Sequence, residues 1–367
     1  MRYLITGGGT GGHIYPALSI GRALQALDPQ AELLYVGTTT GREAMVVPRE
    51  GVPFATISSG GLVNLSAVQK VAGGLKALKG IGEAMGHIRR FRPDVVIGTG
   101  GFVCGPVLLA ARLAGRPVVI QEQNAFPGVT NRIAARWARA VFVPYEEAKP
   151  HFPAGTQFRF VGNPIRPEIA TADRAAGRAA YGYAAEDRVL LVMGGSGGAR
   201  DFHRAVVAAV RPLLARMGDL KVLHITGERY LEQVQGDYGG TAPAGVTIVP
   251  YLHNMPEAYA AADAGVFRSG ALTLAEIQVR GLPSVLIPSP NVTHNHQEWN
   301  ARTLERRGAA LVVRESEMSA EKLATALGTA LTDGEKRPAM ATALQELAQP
   351  DAAADIARSI MEIAKGR

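Results

Sequence analysis

Tyr3-Leu4-Ile5, an apolar run, leads into Thr6-Gly7-Gly8-Gly9-Thr10-Gly11-Gly12-His13, and Ile14-Tyr15-Pro16-Ala17-Leu18-Ser19-Ile20 then opens a helical pattern. The same succession of strand, glycine turn and helix returns half a chain later around Gly194-Gly195-Ser196-Gly197-Gly198. Strands joined through helices must run parallel in their sheet, and a glycine turn lets the backbone pass from one to the other without steric conflict. Short apolar runs at 33–37, 95–98, 118–121 and 140–143 read as strands of a first sheet. Those at 189–193, 222–226, 247–249, 264–267 and 284–287 read as strands of a second. The pattern predicts an α/β chain of two Rossmann-like domains with parallel sheets. Two prolines in Gly162-Asn163-Pro164-Ile165-Arg166-Pro167 mark the boundary, giving domains at 1–163 and 164–345. A last helical stretch at about 346–367, clearest over 351–365, is placed to pack back on the first domain.

A length of 367 residues and 47% hydrophobic content suit two sizeable cores. The single cysteine, Cys104, excludes an internal disulfide and fits a reducing compartment. No apolar run approaches the roughly 18 residues of a membrane span, and the first strand begins too early to leave room for a signal peptide. The net charge of +7 is uneven: residues 1–163 carry +8 and residues 164–367 carry −1. An anionic partner is therefore expected at the first domain alone. Nucleic acid fits poorly, because aromatic residues make up 6% of the chain and no dense basic tract is present. An anionic membrane surface fits better. Val68, Val71, Leu75, Leu78, Ile81, Met85 and Ile88 recur at helical spacing with Lys70, Lys76, Lys79, Arg89 and Arg90 among them. That stretch is either an ordinary helix packed on the sheet or a basic surface with apolar tips resting on lipid. Gly73, Gly74, Gly80, Gly82 and Gly86 argue against one long unbroken helix.

The first glycine turn brings backbone N–H groups to a helix N-terminus, an arrangement that favours an anion such as a diphosphate. His13 at its end is a candidate base, since histidine titrates nearest neutrality. No Gly-Lys-Ser/Thr follows, so it is not a P-loop, and Glu32 lies before the second strand rather than at its end, which spoils a dinucleotide fingerprint. A second constellation is Arg268-Ser269-Gly270-Ala271-Leu272-Thr273-Leu274-Ala275-Glu276, a small-residue turn into a helix. Glu276 there suits either a ribose diol or a helix-capping box with Ser269 or Thr273 as cap. His294-Asn295-His296-Gln297-Glu298-Trp299-Asn300 lacks the spacing of a helical zinc site, and its amides suit sugar hydroxyls better than a metal.

Taken jointly and in order, several segments are specific. They are Gly8-Gly9-Thr10-Gly11-Gly12-His13, Gly100-Gly101-Phe102-Val103-Cys104-Gly105-Pro106, Gln123-Asn124 with Gly128 and Asn131, Gly162-Asn163-Pro164-Ile165-Arg166, Gly194-Gly195-Ser196-Gly197-Gly198-Ala199, Arg268 through Glu276, and His296-Gln297 with Asn300. Along its whole length the chain resembles the bacterial peptidoglycan N-acetylglucosaminyltransferases that convert lipid I into lipid II. That resemblance implies the GT-B architecture, two Rossmann-like domains facing across a cleft. It implies inverting transfer of N-acetylglucosamine from UDP-GlcNAc to the C4 hydroxyl of the lipid-linked muramoyl-pentapeptide, with no cofactor and no metal, at the cytoplasmic face of the cell membrane. In that reading His13 is the base. Glu276 holds the ribose, the Leu252 backbone reads the uracil, and Ser196 and Arg166 meet the diphosphate. Ala271, Leu272 and Thr273 supply N–H groups, with Arg268, Leu274 and Ala275 in the same donor-binding segment. Gln297 and Asn300 bind the sugar hydroxyls, and Thr10, Gly11, Gly12 and Asn124 close over the donor. Gly100, Gly101, Gly105 and Asn131 line the acceptor site. Members of the family often carry Asp where His294 stands and Gln where Ile225 stands. The rival readings are a UDP-GlcNAc 2-epimerase of the same fold, a nicotinamide oxidoreductase and a non-catalytic binding module.

Overall fold

The computed structural model describes residues 1–60, 67–195 and 199–366, the side chains of residues 67–75 excepted. The chain divides into two compact units, one made of Met1–Ile165 with Asp351–Arg367, the other of Arg166–Pro350. Among the described residues each unit is built on one parallel sheet.

The strands of the first sheet are β1 (Arg2–Thr6), β2 (Glu32–Gly37), β3 (Phe54–Thr56), β4 (Val95–Gly98), β5 (Val118–Gln121), β6 (Ala140–Val143) and β7 (Phe158–Phe160). Their order is β3-β2-β1-β4-β5-β6-β7. The order reverses direction between β1 and β4, and ligands of open parallel sheets gather outside the carboxyl ends of strands at such a switch. The turns after β1 and after β4 therefore meet there.

The second sheet holds β8 (Arg188–Met193), β9 (Leu220–Ile225), β10 (Val246–Val249), β11 (Ala264–Phe267), β12 (Ser284–Leu286) and β13 (Leu311–Val312), in the order β10-β9-β8-β11-β12-β13. Its switch lies between β8 and β11.

The central strands are buried on both faces, which is why they read as continuous apolar runs: β4, β5, β6 and β11 are buried at every position. The helix Ala352–Ala364 belongs to the first unit. Its Ile356, Ala357 and Ile360 are fully buried and share a core with Tyr3, Ile5, Ile14 and Ile20. Its segment brings no net charge, so the first unit keeps +8 and the second −1.

The glycines of 67–91 do not break the helix. Ala67–Phe91 runs unbroken for 25 residues. Each interior glycine costs about 1 kcal/mol against alanine, and packing offsets that cost. Ala84 and Ile88 are buried against the helix Cys104–Leu113, and a Cβ at Gly80 would lie 2.1 Å from the Ser58 carbonyl. Ser66 and the side chains of Val68, Lys70, Val71 and Leu75 lie outside what is described, whereas Leu78 is exposed.

Candidate functional site

In the first unit, the turns after β1 and β4 interlock through their glycines. A Cβ on Gly7 would lie 2.0 Å from Thr99 Oγ1, and one on Gly101, at φ +86°, would lie 2.3 Å from the Gly8 carbonyl. Gly100, at φ +108°, would bring a Cβ within 2.9 Å of the His13 ring. Only glycine fits at 100 and 101, for reasons of backbone shape and of close approach. Gly105 differs, since a Cβ there would meet nothing nearer than 3.9 Å.

The first turn is closed by an anion of the protein's own. Glu43, fully buried at the start of the helix Glu43–Arg49, accepts from the Gly9 N–H (3.1 Å), the Thr38 N–H (3.1 Å) and the Thr38 hydroxyl (2.7 Å). The Gly8 N–H donates to the Gly100 carbonyl, and Tyr35 donates its hydroxyl to the Gly7 carbonyl. The sequence reading of this turn as an anion cradle is corrected at Gly8 and Gly9, whose N–H groups are spent inside the protein. Nothing in the local sequence announces Glu43, 34 residues away.

What the turn does present is His13, half-buried in the first turns of the helix Gly11–Leu27, with Thr10 exposed before it. Its Nδ1 lies 2.9 Å from Gln123 Oε1, and its carbonyl accepts from the Thr99 hydroxyl at 2.7 Å. Gly11 and Gly12 stand beside it on the same helical turn. Cys104 is not a rival nucleophile. It is fully buried, its thiol is held against the Thr6 and Gly100 carbonyls, and burial pushes its pKa up to about 12.

Next to this, Glu122 organises the loop after β5. It accepts from the N–H groups of Gln123, Asn124 and Gly128 and from the side-chain amides of Asn124 and Asn131. Asn131 is 1% exposed, so its side chain shapes this loop and offers no open face to an acceptor.

In the second unit, the helix Ala271–Arg280 begins at the sheet switch, just after β11. Its N-cap is Gly270, with no side-chain cap, and Glu276 lies too far along for a capping box. Of the two readings of Glu276, capping is thereby removed. Ala271, Leu272 and Thr273 form the first turn of this helix, where the helix dipole favours an anion.

Glu276 accepts from the Tyr259 hydroxyl at 2.8 Å, with Arg166 close enough to favour its charged form. Part of the residue's surface is open, yet its carboxyl is enclosed by protein, and this desolvation pushes its pKa up to about 7. Leu274 and Ala275 are buried beneath it. Leu252 is half-buried in the loop after β10.

Two residues placed on the donor are committed elsewhere. The Arg268 guanidinium is buried. It pairs with Glu315, donates to the Ile287 and Pro288 carbonyls and lies 5.2 Å from the centre of the Phe202 ring. Asn300 is fully buried and donates to the Ser269 carbonyl at 3.2 Å, bracing the turn before the Ala271–Arg280 helix. Both residues shape the site from behind. Gln297 remains half-buried, its Oε1 accepting from the Ser289 N–H. Ser196 lies outside the described residues. Among the described residues no cluster of His, Cys, Asp and Glu could hold a metal ion.

The chain matches the glycosyltransferase family 28 N-terminal domain over residues 3–143 and the corresponding C-terminal domain over residues 189–356. It is 68% identical over 365 residues to the UDP-N-acetylglucosamine--N-acetylmuramyl-(pentapeptide) pyrophosphoryl-undecaprenol N-acetylglucosamine transferase of Symbiobacterium thermophilum, covering 100% of this chain and 97% of that protein. The Bacillus subtilis protein of the same name is 41% identical over 366 residues, with 100% of each chain covered. Among solved structures, Acinetobacter baumannii MurG superposes with a TM-score of 0.78 at 30% identity, covering 98% of this chain and 99% of that one. Two parallel-sheet units, a histidine at one sheet switch, an uncapped helix above a carboxylate at the other, and full-length likeness to these transferases agree: the chain belongs to glycosyltransferase family 28.

Proposed function

We propose that this enzyme transfers N-acetylglucosamine from UDP-GlcNAc to the C4 hydroxyl of the muramoyl sugar of lipid I, with inversion, forming lipid II for peptidoglycan synthesis. The observation that carries this reading is the end-to-end 68% identity with a transferase named for that donor and acceptor. An epimerase of the same fold is the weaker reading, because relatives at 68% and 41% identity both bear the transferase name.

The residues divide the work as follows. His13 takes the proton of the C4 hydroxyl as it attacks the anomeric carbon. Displacement in one step, from the face opposite UDP, turns an α-linked donor into a β-linked product. The leaving diphosphate gathers negative charge, which the N–H groups of Ala271, Leu272 and Thr273 and the Arg166 guanidinium stabilise. Glu276 accepts from the ribose diol, the Leu252 backbone reads the base, and Gln297 meets the sugar hydroxyls. Thr10, Gly11, Gly12 and Asn124 are the first unit's donor-contact residues in this reading, and Gly105 is its acceptor residue.

The first unit rests peripherally on anionic lipid at the cytoplasmic face. Its charge of +8 supports this, as do exposed Leu78, Leu109 and Leu113 on neighbouring helices. No described helix is long and apolar enough to cross a membrane. Vesicle binding should weaken with added salt and with Lys76→Glu and Lys79→Glu together; binding that ignores both removes the lipid reading.

The deciding experiment measures UDP release from UDP-GlcNAc with and without a short-chain lipid I analogue. Release that requires the acceptor supports transfer. Release without it points to an epimerase or hydrolase, and tight UDP binding with no release points to a binding module.

A further inference from the structure

Gln123 has no role in the reaction as set out above, yet it is 1% exposed and makes one contact that matters. Its Oε1 meets His13 Nδ1 at 2.9 Å. Which way a glutamine amide points is decided by its other partners. Here Nε2 faces three acceptors: the Thr99 carbonyl at 2.8 Å, the Gln121 carbonyl at 3.1 Å and Gln121 Oε1. An amide oxygen turned toward three oxygens would leave all of them without a donor, so Nε2 must lie there and Oε1 must face the histidine.

The next side chains fix the polarity further. Gln121 Nε2 donates to Asn163 Oδ1 at 2.9 Å, and Asn163 Nδ2 donates to the Gln123 carbonyl at 3.0 Å. Each amide in the chain Asn163, Gln121, Gln123 is thereby locked in one orientation. An oxygen accepts only, so His13 Nδ1 must carry a proton to bond it.

We propose that Gln123 is the positioning residue of the reaction: it fixes His13 as the Nδ1–H tautomer, so that Nε2 holds the lone pair that accepts the acceptor's proton. This rests on the reading of His13 as base. A neutral partner sets the tautomer without adding a charge beside the ring. Glu43 and Glu122, the carboxylates bonded to these two loops, are spent on the Gly9 and Thr38 N–H groups and on the Gln123, Asn124 and Gly128 N–H groups respectively. Cys104 stays a thiol.

The direct test is 15N NMR of the imidazoles in the full-length protein, with the His13 signals assigned by their loss in His13→Ala. The expected spectrum has the proton on Nδ1 and a bare Nε2; a proton on Nε2 in the wild type overturns the proposal, with no variant needed. Gln123→Leu should let both tautomers appear, lower kcat by at least about tenfold, as for an impaired general base, and leave the donor KM within about twofold. Gln123→Glu should restore a partner but place a negative charge on the ring, which favours imidazolium and moves the acid limb of the kcat profile to higher pH. Unchanged kcat and pH profile in both variants sinks the proposal while His13 stands as base. Full activity in His13→Ala sinks the base reading instead, and the NMR result still judges the tautomer.

Discussion

The helices that start at Gly11 and at Ala271 both begin at the carboxyl edge of a parallel sheet where the strand order reverses, the first after β1 and the second after β11, on opposite sides of that reversal. They are finished differently. At the first, a buried carboxylate, Glu43, takes the Gly9 N–H of the turn, and the neighbouring loop takes the Gly8 N–H. An anion supplied by the protein stands where a ligand's anion could have been, and the turn serves as a rigid mount for His13. Neither helix has a side-chain cap; before the second no internal carboxylate closes the turn, and Glu276 lies about one and a half turns into the helix with Tyr259 on one oxygen. One fold plan thus yields a turn closed by the protein's own carboxylate beside His13 and a helix start without such a carboxylate above Glu276, to which the proposed function gives the roles of placing a base and meeting the leaving diphosphate. The lesson is that a glycine turn before a helix is not by itself an anion site; what already satisfies its N–H groups decides.

The contrast breaks first at His13. If the closed turn exists to hold a base, His13→Ala should lower kcat by about 100-fold or more with a donor KM near wild type. A loss below about tenfold would hand the proton transfer to another group.

Next comes the internal carboxylate. Glu43→Ala leaves the half-buried Gly9 N–H and the buried Thr38 N–H without their acceptor and should cost about 2 kcal/mol, or about 4–8 °C in Tm. An unchanged melting curve would mean that the turn keeps its shape without the carboxylate.

At the open helix end, Glu276→Gln should raise the donor KM about tenfold, the worth of one charge-assisted hydrogen bond, with kcat much less affected. The pH dependence sharpens this. A carboxyl with a folded-state pKa of about 7 and an ordinary unfolded value holds its proton more tightly in the folded protein. Unliganded stability from this group is present below the ordinary carboxyl range and is lost as pH rises toward 7 and beyond. Donor binding runs the opposite way, since the ribose hydroxyls need the ionised form, so kcat/KM for the donor should fall as pH drops through 7. Both slopes should flatten in Glu276→Gln, measured by thermal melts and by initial rates across pH 5.5–8.5; slopes that persist assign them to another group.

The smallest effect distinguishes glycines that pack from a glycine that could face a ligand. Gly105→Ala, in the helix Cys104–Leu113, meets no atom nearer than 3.9 Å and should raise Tm by about 1–4 °C while raising the acceptor KM. An unaltered acceptor KM would remove Gly105 from the acceptor site.

The strands whose bounds the sequence reads residue for residue are those buried on both sides, while the edge strand β10 is read one residue short. The runs at 95–98, 118–121, 140–143 and 264–267 coincide with β4, β5, β6 and β11, whose every residue is buried. The strands that went unread, β3, β7 and β13, are edges of two or three residues with no buried position. An edge strand is made by pairing with its neighbour, so its own residues carry little of the signal. The unbroken helix Ala67–Phe91 was hidden for a related reason, since its glycines argue locally against a helix that tertiary packing sustains.

At the sites the division is similar. His13 and Glu276 stood out because a titratable group at a glycine or small-residue turn is visible in a short window of sequence. Glu43, Gln121 and Tyr259 do not, and Gln123 stands in a quoted segment without a role, because each meets its partner through the fold: Glu43 reaches Gly9 across 34 residues and Gln123 reaches His13 across 110. Arg268 and Asn300 show the converse. Their place beside the donor motif suggested direct contact, and burial turned both inward as supports.

By itself the sequence determined the two parallel sheets, the family and which turns end in chemically capable side chains, since apolar runs and glycine turns are local and periodic. Only the tertiary structure decided that the Gly8 and Gly9 N–H groups are spent and that an amide oxygen, Gln123 Oε1, faces His13 Nδ1. Those outcomes depend on hydrogen-bond partners that the chain brings together only when it closes its sheets.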